Sequence, residues 1–482
     1  MILSKKNIII LLTCGLLNVH VSARGQQVEL TTLLELNLST HIGELRSVPV
    51  SLSKTEKGLL IVYSEDIDVG PGVFYLYNHP LKFIMFDLKG NEIWRKELPI
   101  TLVPGVWFCP VYPFDLDGDG SDEIYFTNNT HYNQPFATND YVLEKLNSRT
   151  GETLEQYPWK SMHDSRNVSL AYRFRYFVLG GEVSGKPVLI TATGTYTQML
   201  LQCWNPDMTL RWELPIPNDN NGARGSHMSP VVDIDDDGID EIMWGERCIN
   251  LDSGKYVFIA DEKVYSGHSD VIQPVWNQAE KNWYLFTCRE TPGFNPRVVL
   301  FDSKGERVWT DVESGHMDMG WCANLGPNGE SVSMSIKIGS KVAGTDGFVR
   351  SNYESFVYET FSGKKIDPPY PVFSTIPVDL NGDGIHELVC AVTHQGDQNI
   401  YNNKGDILGN IGEGGIVSMA SNFMDLPGEQ VMVYYPEGTI KIFADKNAKA
   451  SKRALKRYAS PFYQKNLKLT ATGYNIINLG GL

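Results

Sequence analysis

An all-β chain folded as a single β-propeller is what the sequence predicts, and three observations carry that prediction. Pairs of short apolar strands recur eight times, at residues 46–65, 107–128, 171–195, 227–246, 269–290, 316–338, 372–393 and 416–437. Between the pairs lie outer hairpins of one grammar, strand, polar turn with glycine, strand, as in FIMFDLKGNEIWRKEL, LQCWNPDMTLRWEL and VVLFDSKGERVWTDV. Helical patterning is nearly absent outside 446–458. Four short strands per repeat, at a period of about 40 to 65 residues, are the mark of propeller blades. The direct count favours eight blades, and seven stays open because the first and last segments of a propeller often merge to close the ring. Residues 28–45 and 467–477 are both strand-like and suited to such a closure.

Taken in order, the chain opens with Lys5 and Lys6, an apolar run over 8–17 and the small residues Val21-Ser22-Ala23. That is the pattern of a secretory signal cleaved near Ala23. Cys14 lies in a poor lipoprotein box, so a released or periplasmic protein is expected, with 1–23 as leader and 24–482 as one catalytic domain. No later run is long and apolar enough to span a bilayer. The chain is 42% apolar, with no low-complexity linker, and points to one large repeat domain and a monomer. A net charge of −15 argues against nucleic acid as partner. Six cysteines remain after the leader, Cys109, Cys203, Cys248, Cys288, Cys322 and Cys390, scattered through apolar runs, so buried free thiols are expected, with Cys248 a candidate exception.

Three turns share a carboxylate spacing: Asp115, Asp117, Asp119, Gly120, Glu123; Asp233, Asp235, Asp237, Gly238, Glu241; and Asp379, Asn381, Asp383, Gly384, Glu387. Alternate oxygens point inward in such a loop, glycine allows the tight turn, and the ninth residue closes the shell around a hard cation. Structural calcium is the expectation, with empty, solvated acidic turns as the plainer alternative.

A propeller gathers the starts of its inner strands around one axis, so chemistry belongs there. These ends are rich in His, Arg and Tyr: His131, His163, Arg173, Arg175, Tyr196, Arg224, His227, Arg247, His268, Arg289 and His316. In an acidic protein that marks a local basic cleft for an anionic ligand. His227, Cys248 and His268 sit where they would converge as ligands of a structural zinc, with His316 or water as the fourth; a metal-free hydrogen-bonded cluster is the alternative.

The runs RFRYFVLGG, GTYTQMLLQCWNPDMTLRWE, GARGSHMSPVVDIDDDGIDEIMWGERC and GHSDVIQP resemble the propeller-type ulvan lyases and the related lyases and rhamnosidases acting on rhamnose linked to glucuronate. The resemblance covers most of the mature chain and is strongest over 173–274; that family is seven-bladed, against the count of eight. It implies a polysaccharide lyase cleaving rhamnose–uronate linkages by β-elimination on an anionic polysaccharide, and it adds to the zinc reading. It further implies His131 and His163 as base and carboxylate neutraliser and Tyr196 as acid or acid and base. Arg224 would hold the carboxylate, with Arg211 as competitor, Arg175 as a further binding residue and Tyr172 as the alternative tyrosine. Two other functions stay open. A rhamnosidase would use His41 near the mature N-terminus, and a noncatalytic carbohydrate-binding propeller would use none of these groups.

Overall fold

The structure, a computed structural model, describes residues 28–68, 77–161, 173–344, 347–474 and 482, with the side chains of 340–348 excepted. The expected leader, His163 and Tyr172 lie outside the described residues. Eight antiparallel sheets follow one another along the chain, which settles the blade count at eight. Their inner strands are Glu44–Ser53, Val111–Phe114, Tyr176–Val183, Val231–Val232, Ser269–Asn277, His316–Asn324, Ile376–Val378 and Ile416–Ser421, and they define blades 1 to 8 in that order.

Burial grades outward from the axis. The inner strand Glu44–Ser53 is buried along nearly its whole length, whereas the outer strand Thr153–Pro158 is exposed at five of six positions. Neighbouring blades are tied by a repeated device. Trp94, Trp212 and Trp309, each on an outer strand, donate their indole N–H to carbonyls of the next blade, Ser148 at 2.8 Å, Leu251 at 2.8 Å and Thr360 at 2.7 Å. Each indole lies on a left-handed glycine of that next blade, Gly151, Gly254 or Gly363, where a Cβ would come within 2.7 Å of the ring. Only glycine offers both the φ and the space.

The ring is closed by the N-terminal strand Leu30–Asn37, which pairs antiparallel with Thr439–Asp445 as the outermost strand of blade 8. As far as it is described, to Tyr474, the C-terminal segment takes no part in that closure, contrary to the strand reading of 467–477, whose last three residues lie outside the described residues. It forms two short helices, α1 (Lys452–Tyr458) and α2 (Pro461–Asn466), and a 3-10 turn at Leu469–Ala471. From there it runs along the inner strands. Asn466 donates to Val231 O (2.8 Å), Thr470 donates to Ser47 O, Thr472 Oγ accepts from Val178 N (3.4 Å) and Tyr474 N donates to His227 O (2.9 Å). The tail thus threads the channel from the face bearing the carboxylate turns to the face where the inner strands begin. Blade 6 departs from the repeat: its sheet has three strands, and a hairpin, Ser340–Gly344 with Gly347–Ser351, is inserted between its second and third. None of the helices among the described residues is long and apolar enough to cross a membrane.

Candidate active site

At the start of blades 5 and 6 the sequence places His-x-Asp twice, His268-Ser269-Asp270 and His316-Met317-Asp318. In each strand the pairing register shifts across the aspartate, between Ser269 and Val271 and between Met317 and Met319. Each aspartate is therefore the extra residue of a bulge, and a bulge re-aims a side chain that regular pleating would send into the sheet. Both carboxylates turn toward the channel mouth. A parallel bridge between Ser226 and Ser269 sets His227 beside His268.

The result is one cluster from blades 3 to 6. His227 Nε2 lies 3.1 Å and His268 Nε2 3.9 Å from Asp270 Oδ1. His316 Nε2 lies 3.3 Å from Asp270 Oδ2, 3.4 Å from Asp318 Oδ1 and 3.6 Å from Glu290 Oε1. Tyr196, in a left-handed conformation at φ 70°, stacks on His268 with ring centres 4.0 Å apart and donates to Glu290 Oε2 at 2.5 Å. Arg175 is sandwiched between Trp107 and Tyr196, its guanidinium 4.8 and 4.9 Å from the two ring centres. The tail completes the wall: Tyr474 packs edge-on against Trp107 and His227, and its hydroxyl donates to Asp68 at 3.0 Å.

The electrostatics follow from burial and company. Burial pushes Asp270 up, but His227 and His316 outweigh it and hold the carboxyl well below its usual range. Burial, then His227, holds His268 well below the ordinary imidazole value, so it presents a neutral ring. Burial, then Asp270, raises Glu290, and burial raises the Tyr196 phenol far above its usual value, with Arg175 opposing. The fully buried His268 Nε2 has no hydrogen-bond partner, and the His227 imidazole stands 3.1 Å from Asp270 Oδ1. Buried ligand atoms that converge in this way suit a bound cation, and His227, His268, Asp270 and Glu290 each offer one within 4.8 Å of the others.

Several expected site residues lie elsewhere. Cys248 is not a ligand. It sits in the third strand of blade 4, packed in an apolar cluster with Val232, Met243 and Phe301, and Asp270 and Glu290 take the place assigned to it. Arg224 is no carboxylate clamp, because its guanidinium is spent on the carbonyls of Pro217, Asn218 and Asn220. Its own carbonyl accepts from Tyr196 N (2.9 Å) and faces His268 Nδ1 (3.3 Å), so Arg224 positions the site through its backbone. Arg211 pairs with Asp252 on the outer rim. His131 accepts N–H bonds from Asn133 and Gln134 within its own loop, 3.8 Å from Asp140. Arg247 binds the carbonyls of Ala223 and Asn221, and Arg289 is locked to Glu246 and Asp261. His41 is exposed on the turn into blade 1, outside the cluster.

The three carboxylate turns lie on the opposite face, at the first hairpins of blades 2, 4 and 7. Asp115, Asp117 and Asp119 converge in one, and Asp233, Asp235 and Glu241 in another. Glu123 instead faces Lys145 at 3.6 Å and accepts from Tyr125, and Asp237 accepts from Ile239 N. The third turn carries its own cation: Arg457 of α1 binds Asp379 at 2.6 Å, and Asn381 donates to Glu387 at 2.7 Å.

Against known proteins, the family model described as "Rhamnogalacturonan lyase family 11, C-terminal domain" matches residues 174–391, just under half of the chain. The chain is 24% identical over 339 residues to the rhamnogalacturonan exolyase YesX of Bacillus subtilis (strain 168), covering 63% of this chain and 52% of that one. It is 26% identical over 304 residues to the rhamnogalacturonan endolyase YesW of the same organism, covering 55% and 48%. It thus spans about half the length of these curated relatives. Among solved structures, the exotype rhamnogalacturonan lyase YesX superposes with a TM-score of 0.72 at 18% identity, over 92% of this chain and 80% of that one. The Bacillus licheniformis rhamnogalacturonan lyase PL11 gives 0.72 at 16% identity, over 95% and 82%. These likenesses show the fold, and the relatives they name are rhamnogalacturonan lyases.

Proposed function

We propose that this protein is a polysaccharide lyase that cleaves a rhamnogalacturonan-type backbone at the bond between rhamnose and uronate by β-elimination. The observation that carries this reading is the convergence of His227, His268, Asp270, His316, Glu290, Tyr196 and Arg175 at one mouth of the channel, within the stretch that the rhamnogalacturonan-lyase model matches.

The reaction needs the uronate carboxylate neutralised, the C5 proton removed and the departing oxygen at C4 protonated. His227, His268, Asp270 and Glu290 would hold a divalent cation, which when bound supplies positive charge for the carboxylate. Arg175, held flat between two rings, offers a second cationic group. His316 is the most exposed imidazole of the cluster, 31% of its side chain, and would serve as base in its neutral form, once a bound cation has taken over the neutralisation of Asp270. The C5–H electrons form the C4–C5 double bond as the C4–O bond breaks. Tyr196, whose phenol stays protonated, donates to the leaving oxygen. We further infer export, because the substrate polymer is extracellular and the chain opens with a leader-like run, and bound calcium in the first two carboxylate turns.

The test is the ultraviolet absorbance of the 4,5-unsaturated uronate during incubation with rhamnogalacturonan, homogalacturonan and ulvan separately. A rise with rhamnogalacturonan alone is expected. A rise with ulvan alone would move the substrate back to a sulfated rhamnose–glucuronate polymer, and release of free rhamnose without absorbance would replace elimination by hydrolysis.

A further inference from the structure

The hairpin inserted into blade 6 rises from the same face as the cluster, since its base continues the strand whose Ile338 pairs with His316. Its returning strand reaches the cluster directly: Arg350 binds Asp318 through Nε, and the backbone of Arg350 is clamped by the Gln395 amide, N to Oε1 and Nε2 to O, both at 2.7 Å. Two residues on, Asn352 adopts a left-handed conformation at φ 53° and turns the chain outward. The next residue, Tyr353, is 47% exposed. One face of its ring lies flat on Phe373, with centres 4.1 Å apart and planes 9° from parallel.

An exposed tyrosine is ordinarily mobile and unremarked. This one is fixed from below. Phe373 is 8% exposed, and the next residue, Ser374, is held by its Oγ to Thr393. A ring whose rotamer is already set loses little entropy on binding, which is what a recognition surface requires. Three residues span at most about 10 Å, so Tyr353 stands no more than about two sugar units from the residue that touches Asp318.

We propose that Tyr353, backed by Phe373, is a stacking platform for a sugar of the bound chain outside the cleaved linkage. It takes a 6-deoxyhexose such as rhamnose, whose apolar ring face and methyl group suit an aromatic plane better than a charged uronate does. This rests on the reading of the protein as a lyase of a rhamnose–uronate polymer.

The test combines binding and kinetics on Tyr353→Ala and Tyr353→Phe in the full chain. Affinity gel electrophoresis in rhamnogalacturonan should retard wild type and Tyr353→Phe alike and Tyr353→Ala less. In turnover, Tyr353→Ala should raise KM for the long polymer about three- to tenfold, the range an aromatic contact carries, with kcat within twofold. KM for the shortest cleavable oligosaccharide should be unchanged. Equal binding by wild type and Tyr353→Ala, or an equal effect on long and short substrates, would overturn the platform and leave the lyase reading intact. Retardation of wild type only by another polysaccharide, lost in Tyr353→Ala, would keep a platform and overturn rhamnogalacturonan as its substrate. Retardation by none would overturn both.

Discussion

Tyr196 shows how much chemistry a single residue draws from its surroundings here. Its left-handed backbone and its stacking on His268 fix the ring, its hydroxyl is held by Glu290, and Arg175 covers the remaining face. Tyr196→Phe keeps every one of these contacts except the hydroxyl's. It should lower kcat by roughly 10²- to 10⁴-fold, the usual weight of a general acid, while unfolding stability drops by only about 1 kcal/mol for the lost hydrogen bond. Turnover near the wild-type rate would remove the phenol from the mechanism. At this scale the sequence exposed some of the site and hid the rest. Tyr196, Arg175, His227, His268 and His316 stand out because polar residues at inner-strand starts must face the channel. Asp270, Asp318 and Glu290 do not, because in a chain with 57 acidic residues they resemble solubilising charge, and the bulges that re-aim the aspartates depend on strand pairing. The repeated His-x-Asp was the available signal. Arg224 misleads for the opposite reason: its charge suits a ligand, but three carbonyls already occupy it.

Among the elements, the three carboxylate turns share a spacing and differ in what neutralises them. The turns at Asp115 and Asp233 leave converging oxygens, whereas Arg457 fills the third, nearly fully buried between Asp379 and Glu429. A chelator should therefore lower Tm through the first two turns. Arg457→Met should cost about 3–5 kcal/mol by stranding buried carboxylates. Added calcium should not reduce the chelator's effect through the third turn in wild type, and calcium rescue of Arg457→Met alone would show that the guanidinium stands in for an ion. A chelator without effect on Tm would count against cations in any of the turns. The residue after each glycine-turn's isoleucine or serine is a second shared feature. Asp122, Asp240 and His386 accept backbone N–H groups of the preceding blade, from Ser51 (2.6 Å), Glu182 (2.6 Å) and Asn324 (2.9 Å). His386 must do so as a neutral ring, and burial, then Arg457 and Arg453, holds its pKa well below 6.5. Its contribution is thus complete above pH 6.5 and is lost as pH falls below that, where the unfolded chain takes up the proton first, at up to about 1.4 kcal/mol per pH unit. His386→Asn keeps an acceptor without the titration, so urea unfolding should show a shallower acid slope than wild type. An identical slope would place the acid sensitivity elsewhere. The blades themselves were legible because strand, polar turn and strand repeat in the sequence; which turn is already neutralised was not, since Arg457 lies 78 residues from the Asp379 it meets.

For the molecule as a whole, the unexpected part is the tail. Residues 467–477 read like a strand, yet the ring is closed from the N-terminal side, and the described part of that segment, to Tyr474, runs through the channel. Buried carboxylates explain why. Asp122 and Asp240 face the channel with side chains 0% and 1% exposed, and the tail brings Lys468 and Lys465 to them, each at 2.7 Å. An acidic ring of blades is thus held around a basic thread whose Tyr474 forms part of the site wall. The same segment thus braces the ring and completes the site wall. Lys468→Met should leave Asp122 buried without its cation and cost about 3 kcal/mol, because the unpaired charge is the larger penalty than the lost attraction. Adding Asp122→Asn should recover most of that loss, since the amide oxygen can still accept from Ser51 N and no charge remains to be compensated. Turnover should fall with Lys468→Met and return in the double variant, as the tail reseats and carries Tyr474 back against His227. If the two substitutions instead add, the lysine acts by packing alone, and the tail is held by its backbone bonds to the inner strands.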